Sequence, residues 1–84
     1  MAQQLQASLL LGESAYHNGD YPEVARTLGS LAELTPDQRV MLADTRFALG
    51  QREQGLQLLD RLRADPPRDH LLRTRAAELL RRVR

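Results

Sequence analysis

Residues 18–36 read NGDYPEVARTLGSLAELTP, and they contain a turn, a helix start, an amphipathic run and a helix stop. Gly19 predicts a turn hinged on glycine, whose backbone is conformationally permissive. Asp20 and Glu23 have the spacing of a capping box, which satisfies free backbone N–H groups at a helix N-terminus. The apolar residues that follow have helical spacing. The stretch therefore predicts a helix over residues 21–34 that begins after a glycine turn.

The same pattern recurs later in the chain. Four residues of this stretch have a later counterpart of the same type: Gly19 and Gly50, Leu28 and Leu59, Leu31 and Leu62, Pro36 and Pro67. The two sequence numbers differ by 31 in every pair. A constant offset at four positions indicates a structural repeat.

Helical patterns account for the rest of the chain as well. Thr35, Pro36 and Gln38 predict another helix N-terminus, with a threonine cap, a proline in the first turn and a glutamine that closes the box. Gly50 predicts the end of that helix in a left-handed cap. Apolar spacing and stop signals predict helices over residues 3–18, 36–49, 51–64 and 67–83. Because β-branched residues never alternate along the chain, we expect an all-α fold of five antiparallel helices.

The first predicted helix carries more apolar surface than one neighbour can cover. Leu9, Leu10 and Leu11 are consecutive, so they cover about 200° of the helix at roughly 100° per residue. We favour the interpretation that this helix lies between the second and third helices. The alternative is that part of its leucine surface binds a partner.

The length and composition of the chain restrict the possible classes of protein. Eighty-four residues allow a single small domain, residues 1–84, whose core needs good packing or a partner for stability. The absence of cysteine excludes disulfides and thiolate chemistry. No membrane-length apolar run and no signal segment is visible, so we expect no membrane span. The compartment stays open, with the cytoplasm as the default and the periplasm if the chain is a fragment of a secretion or envelope protein.

Charge is distributed unevenly, although the net charge is only +1. Residues 1–50 sum to −3 and residues 51–84 to +4. The second part contains arginines that could contact phosphates: Arg61, Arg63, Arg68, Arg73, Arg75, Arg81, Arg82 and Arg84. Acidic residues are interspersed among them, and no aromatic residue follows Phe47 to stack on bases. A solvated final helix, with Leu71, Leu72, Ala76, Leu79 and Leu80 on its apolar face, is therefore favoured over nucleic-acid binding.

Few residues suggest catalysis or metal binding. His17 and His70 are the only histidines, and neither has the spacing of a metal site. No serine, histidine and aspartate combine at catalytic spacing, and no glycine-rich loop joins a strand to a helix. We therefore predict that the protein is not an enzyme and has no catalytic residue, cofactor or metal.

The repeated unit resembles the tetratricopeptide repeat (TPR). The first unit, residues 5–36, matches the motif of that family at Leu11-Gly12, at the Gly19-Asp20-Tyr21 turn, at Leu28 and at Pro36. The second unit, residues 36–67, matches it at Leu42-Ala43, Gly50, Gly55, Leu59 and Pro67. The period of 31 is shorter than the roughly 34 residues typical of the family. The resemblance implies a superhelix of helix-turn-helix repeats, with residues 68–84 as a capping helix.

In TPR-like stacks the first helix of each pair lines a concave groove. The resemblance therefore implies a partner-binding groove lined by Leu9, Glu13, Tyr16, Val40, Asp44 and Phe47. Tyr16 and Phe47 would lie along this groove as aromatic anchors, with a core position as the alternative, above all for Phe47. Glu13 and Asp44 would form an acidic rim.

The resemblance implies a non-enzymatic protein–protein interaction module, a scaffold or adaptor that binds a helical or extended segment of a partner. The alternative is a small assembly or secretion-type chaperone that acts through self-association or through an obligate partner. Two and a half units fall short of the roughly three that repeat folds usually need. A homo-oligomer or a larger parent chain is therefore a further expectation.

Overall fold

The computed structural model describes residues 11–82, and in this part of the chain every regular element is a helix. The first helix, α1, is described from residue 11 to residue 17. It is followed by α2 (Tyr21–Leu28), α3 (Pro36–Ala48), α4 (Arg52–Arg61) and α5 (His70–Arg82). The all-α prediction is confirmed for the described residues. The predicted beginning of the first helix, with Leu9 and Leu10, lies outside them.

α1 and α3 end with the same backbone geometry. Gly19 and Gly50, which follow these helices, have φ angles of 75° and 79°. At both ends the glycine N–H donates to the carbonyl three residues earlier, at 3.1 Å, and the next N–H donates to the carbonyl five residues before it. This pair of hydrogen bonds is the Schellman motif, which requires a left-handed residue after the helix. The left-handed cap predicted at Gly50 is confirmed, and the glycine turn predicted at Gly19 has the same left-handed conformation.

α2 and α4 also correspond at both ends. At their N-termini, the N–H groups of Val24 and Gly55 donate to the carbonyls four residues earlier, both at 3.1 Å. After their C-termini, the N–H groups of Leu31 and Leu62 donate to the carbonyls three residues earlier, at 3.2 and 3.1 Å. Each pair has the same sequence offset as the repeated glycines, leucines and prolines. The repeat in the sequence therefore coincides with a repeat of helix ends.

α2 is shorter than the sequence predicts. It ends at Leu28, and residues 29–35 are not helical, so the second half of the predicted helix is wrong. These residues begin with a glycine, which is about 1 kcal/mol less favourable in a helix than alanine. The Ser30 hydroxyl then donates to the carbonyl of Thr27 at 2.9 Å, which satisfies one of the free carbonyls at the helix end. Residues 29–35 are called the 29–35 segment below.

The two predicted capping boxes have different outcomes. At the start of α3, the Thr35 hydroxyl accepts the N–H of Gln38 at 3.2 Å, and the Gln38 side-chain oxygen accepts the N–H of Thr35 at 2.9 Å. This box is confirmed. The box predicted at Asp20 is wrong, because the Asp20 side chain makes no capping hydrogen bond and Glu23 instead forms an ion pair with Arg26.

α5 begins at His70, later than the predicted start at residue 67. Asp69 caps the helix, because its Oδ1 accepts the N–H groups two and three residues later at 2.8 and 3.2 Å. The negative charge of an aspartate at this position also interacts favourably with the positive end of the helix dipole. The N–H groups of Arg68 and Asp69 donate to Oδ1 of Asp37 at 2.6 and 3.3 Å. The start of α5 is thereby fixed to the first turn of α3.

α3 is the central helix of the described structure. It packs against α2, α4 and α5, and all residues from 40 to 45 are buried. Six consecutive residues turn more than once around a helix at about 100° each, so the middle of α3 is covered on every side. The largest fully buried side chains are those of Leu28, Leu59, Leu79, Val24, Val40 and Thr45. The core is therefore built around α3, with side chains from each of its neighbours.

α1 contacts both α2 and α3, as favoured from the sequence. A Cβ atom at Gly12 would lie 2.7 Å from the Leu28 side chain, so glycine permits the close approach of α1 and α2. The side chains of Glu13 and Tyr16 form hydrogen bonds with α3. Leu11 remains 57% exposed. None of the helices between residues 11 and 82 is long and apolar enough to cross a membrane.

Candidate functional site

A buried carboxylate joins α1, α3 and α5. Asp44 lies in the central helix, and its side chain is only 7% exposed. The Tyr16 hydroxyl donates to its Oδ2 at 2.7 Å. Arg75 donates to both oxygens, from Nε to Oδ2 at 3.1 Å and from Nη2 to Oδ1 at 2.9 Å. Two parallel bonds from one guanidinium are a strong and directional form of ion pair, so Asp44 fixes one position on each of two other helices.

The charges of this cluster compensate each other. The hydrogen bond with Asp44 raises the pKa of Arg75, which therefore stays cationic. Arg75 Nη1 also donates to Glu78 at 2.9 Å. Burial, followed by the hydrogen bond to Asp44, raises the pKa of Tyr16 above its ordinary value, so its hydroxyl remains a neutral donor. A buried charge needs such partners, because an unpaired carboxylate in the interior is strongly unfavourable.

A second connection joins α1 to the start of α3. Gln38 Nε2 donates to Oε1 of Glu13 at 3.3 Å. The oxygen of the same amide accepts the N–H of Thr35 in the capping box, at 2.9 Å. The cap of α3 and the position of α1 are therefore coupled through one side chain.

α1, α3 and α5 together enclose an open cleft of about 450 Å³, called the α1–α3–α5 cleft below. Its lining residues are Glu13, Tyr16, His17, Asp37, Met41, Asp69, Leu71, Leu72 and Arg75. Met41 and Leu72 are 5% and 7% exposed and form an apolar floor. Leu71 is 76% exposed, which is the highest value among the large hydrophobic residues described. The cleft therefore combines a buried apolar floor, an exposed leucine and polar sides.

The cleft is negatively charged. Glu13, Asp37 and Asp69 contribute three carboxylates to its lining. Among the described residues, Arg75 is the one arginine that lines it, and its charge is already offset by the buried Asp44. The carboxylates of Asp37 and Asp69 accept backbone N–H groups and hold defined positions. Such a surface favours positively charged groups.

The structure separates the predicted groove residues. Glu13 and Tyr16 do line the cleft, whereas Leu9 lies outside the described residues. Val40 is fully buried, with 0% exposure, and its assignment to the groove is corrected. A side chain without exposed surface cannot contact a partner. Val40 belongs to the core because α3 is enclosed by its neighbours.

Asp44 and Phe47 also have positions different from those expected. Asp44 is not part of an exposed acidic rim, since it is buried and paired with Arg75. The Phe47 ring packs on α4, where a Cβ atom at Gly55 would lie only 2.8 Å from it. Phe47 is not among the residues that line the cleft. Tyr16 and Phe47 therefore do not line the same cleft. The alternative prediction, that Phe47 is a core residue, describes its position better.

Seven of the nine cleft residues were not among the predicted groove residues: His17, Asp37, Met41, Asp69, Leu71, Leu72 and Arg75. Asp37 and Met41 are four residues apart on α3, so they share a face. Leu71 was expected on the apolar face of α5, but the buried residues of α5 are Leu72, Ala76 and Leu79. Their spacing of four and three residues defines a stripe that leaves Leu71 to one side. This spacing was the available signal for an exposed leucine.

Several arginines of the C-terminal part are occupied within the chain. Arg75 is paired with Asp44, Arg73 Nε donates to the carbonyl of Pro67 at 3.0 Å, and Arg63 lies 3.9 Å from Asp60. Within residues 11–82, no group of three or more His, Cys, Asp or Glu side chains is arranged to hold a metal ion.

Comparisons of the chain with protein-family models, with curated proteins and with solved structures each found no match.

Proposed function

We propose that the chain is a non-enzymatic protein-interaction module, built from TPR-like helical hairpins, that binds a segment of a partner protein in the α1–α3–α5 cleft. The observation that carries the proposal is the open cleft of about 450 Å³ with an apolar floor and the exposed Leu71. Concave surfaces of this composition are the usual sites of ligand and peptide binding. The constant sequence offset and the matching helix ends support the TPR-like assignment.

The charge of the cleft indicates the chemistry of the partner. Glu13, Asp37 and Asp69 attract lysine or arginine side chains, and they disfavour an acidic segment by like-charge repulsion. Leu71 and the floor of the cleft favour an apolar side chain next to those basic residues. The proposed partner segment therefore carries one or two basic residues beside an apolar anchor.

The test is a selection from a random-peptide library on the folded protein, followed by titration of the selected peptides. We expect enrichment of peptides that combine lysine or arginine with apolar residues. Substitution Leu71→Ala removes exposed apolar surface and should weaken these peptides by about tenfold, the equivalent of 1.4 kcal/mol. Substitution Glu13→Gln removes one carboxylate and should weaken them more at low salt than at high salt.

The matched control is Leu49→Ala. Leu49 is also an exposed leucine, at 39%, but it follows the last turn of α3 and does not line the cleft. Selected peptides should bind this variant as they bind the wild type. Peptides whose affinity does not change with Leu71→Ala would show that the cleft is not the binding site. A selection without enrichment would contradict the proposal as a whole.

A second copy of the chain is the alternative occupant of the cleft. The exposed Leu71 favours it, because a self-associating chaperone would bury such a residue. Sedimentation at increasing protein concentration distinguishes the two. If the wild type forms a dimer and Leu71→Ala dissociates it, the occupant of the cleft is a second copy of the chain. If the protein is a monomer at every concentration, this alternative is excluded.

A further inference from the structure

A second groove lies on the other side of α3. Two adjoining cavities, of about 220 and 470 Å³, share Leu42, Leu58 and Arg61 and together run from α4 to the 29–35 segment. The residues that α3 contributes are centred about 150° around the helix from Asp37 and Met41, at roughly 100° per residue. This surface, called the basic groove below, is therefore separate from the α1–α3–α5 cleft.

The basic groove has an excess of positive charge. Arg39, Arg46 and Arg61 line it, and Glu33 is the one acidic residue that the described part of the chain contributes to its lining. Arg46 donates to the neutral side chain of Gln51 at 2.7 Å. The guanidinium of Arg61 forms no hydrogen bond or ion pair with residues 11–82. At least two guanidinium groups of the groove are thus not neutralised by a carboxylate of these residues.

Arg39 is the arginine with a nearby acid, and the pairing is weak. Its Nη1 lies 4.0 Å from Oδ2 of Asp65, which is 65% exposed. A pair at this distance, with an exposed carboxylate as one partner, contributes little and is screened by salt. Arg39 therefore remains available to an incoming carboxylate.

The 29–35 segment adds apolar surface to the groove. Because α2 stops at Leu28, the chain leaves the helix and places Leu31 and Leu34 beside Leu58 of α4, each only partly buried. The counterpart of Leu31 in the second unit, Leu62, is buried at 7% exposure. The two units therefore differ at this position, and the first one leaves apolar surface next to the arginines.

We infer that the basic groove binds an acidic segment of a partner protein, with aspartate or glutamate side chains next to an apolar residue. Guanidinium groups match carboxylates in shape and can donate two parallel hydrogen bonds to one of them. A nucleic acid fits the groove less well, because single strands stack their bases on aromatic rings and no aromatic residue between positions 11 and 82 lines either cavity. This inference does not depend on the function proposed for the cleft.

The test uses the intact chain and the same random-peptide library. Peptides selected on the wild type are titrated against Arg61→Glu and against the matched control Arg81→Glu, which changes an exposed arginine of α5 outside the groove. We expect a set of peptides, rich in acidic residues and leucine, that loses about tenfold or more in affinity with Arg61→Glu and is unchanged with Arg81→Glu. The same peptides should still bind Leu71→Ala.

Three results would overturn the inference. One is that no selected peptide is sensitive to Arg61→Glu while the variant remains folded by circular dichroism. Another is that replacing the acidic residues of a sensitive peptide by their amides leaves its affinity unchanged. The third is that a mixed-sequence oligonucleotide binds more tightly than the peptides and is equally sensitive to Arg61→Glu, which would assign the groove to nucleic acid.

Discussion

The guanidinium of Arg75 and the carboxylate of Asp44, on two different helices, are joined by two parallel hydrogen bonds of 3.1 and 2.9 Å. Tyr16 adds a third bond to the same carboxylate. The three residues come from α5, α3 and α1, the helices that line the cleft. A single buried acid therefore holds together the elements on which the proposed binding surface depends.

Loss of Arg75 should destabilise the fold. Substitution Arg75→Ala leaves Asp44 buried with the Tyr16 hydroxyl as its remaining side-chain donor among residues 11–82. Removing one partner of a fully buried pair costs about 3–5 kcal/mol, and we expect about 2–3 kcal/mol here because Arg75 is 30% exposed and partly screened. Urea denaturation measures the change in the free energy of unfolding.

Two further variants identify the cause of that loss. Arg81→Ala changes an exposed arginine on the same helix and should alter stability by less than about 0.5 kcal/mol. Arg75→Met keeps most of the aliphatic stem but not the charge, so it should be nearly as destabilising as alanine. A stable Arg75→Met variant would mean that packing, and not the ion pair, is what Arg75 contributes.

Removal of the Tyr16 hydroxyl should change both stability and its dependence on pH. Tyr16→Phe deletes a hydrogen bond to a charged acceptor, which contributes about 1.5 kcal/mol. The raised pKa of Tyr16 means that the folded state holds the phenol proton more tightly than the unfolded state, whose value is about 10. This stabilisation is complete below about pH 10 and decreases as the pH rises towards the folded-state pKa.

The measurement is the free energy of unfolding from neutral to alkaline pH. Wild-type stability should decline more steeply above about pH 10 than that of Tyr16→Phe. Tyr21→Phe retains the bond between Tyr16 and Asp44 and is the matched control. Parallel alkaline declines for the wild type and Tyr16→Phe would contradict the assigned role of the hydroxyl.

Substitutions at Gly19 and Gly50 should lower stability through backbone strain alone. A Cβ atom at Gly19 or Gly50 meets no atom within 4 Å, but both residues have positive φ angles. Alanine at either position should therefore cost about 1–2 kcal/mol, through the left-handed backbone and not through a clash. Asparagine tolerates this conformation better and should cost less than alanine at both sites. Melting temperatures of the four variants test this order, and equal losses for alanine and asparagine would refute it.

Alanine substitution should lower stability at Val40 but hardly change it at Leu71. Val40→Ala removes fully buried methyl groups next to α3's neighbours and should cost about 2 kcal/mol of stability. Leu71→Ala changes a residue that is 76% exposed and should alter stability by less than about 0.5 kcal/mol. Thermal unfolding of both variants checks the reassignment of these residues. If Val40→Ala left stability unchanged, the assignment of Val40 to the core would be wrong.

Prediction from sequence succeeded where the structure depends on neighbouring residues. The capping box of Thr35, the glycine turn at Gly19 and the left-handed cap at Gly50 follow from the chemistry of a few consecutive residues. The Asp20 box failed although its spacing is correct, because Glu23 pairs with Arg26 instead. The predicted length of α2 was wrong for a different reason. Apolar periodicity continues beyond Leu28, but the chain leaves the helix there.

The amino-acid sequence by itself determined that the fold of residues 11–82 is helical, where α3 starts and ends, and that helix ends recur at a constant offset. Only the tertiary structure decided which face of α3 reaches the cleft. The buried residues of α3 lie on every side of the helix and include polar ones, so apolar periodicity cannot distinguish its faces. The same holds for Asp44 and Arg75, because two charges on distant helices become partners only when packing brings them within hydrogen-bonding distance.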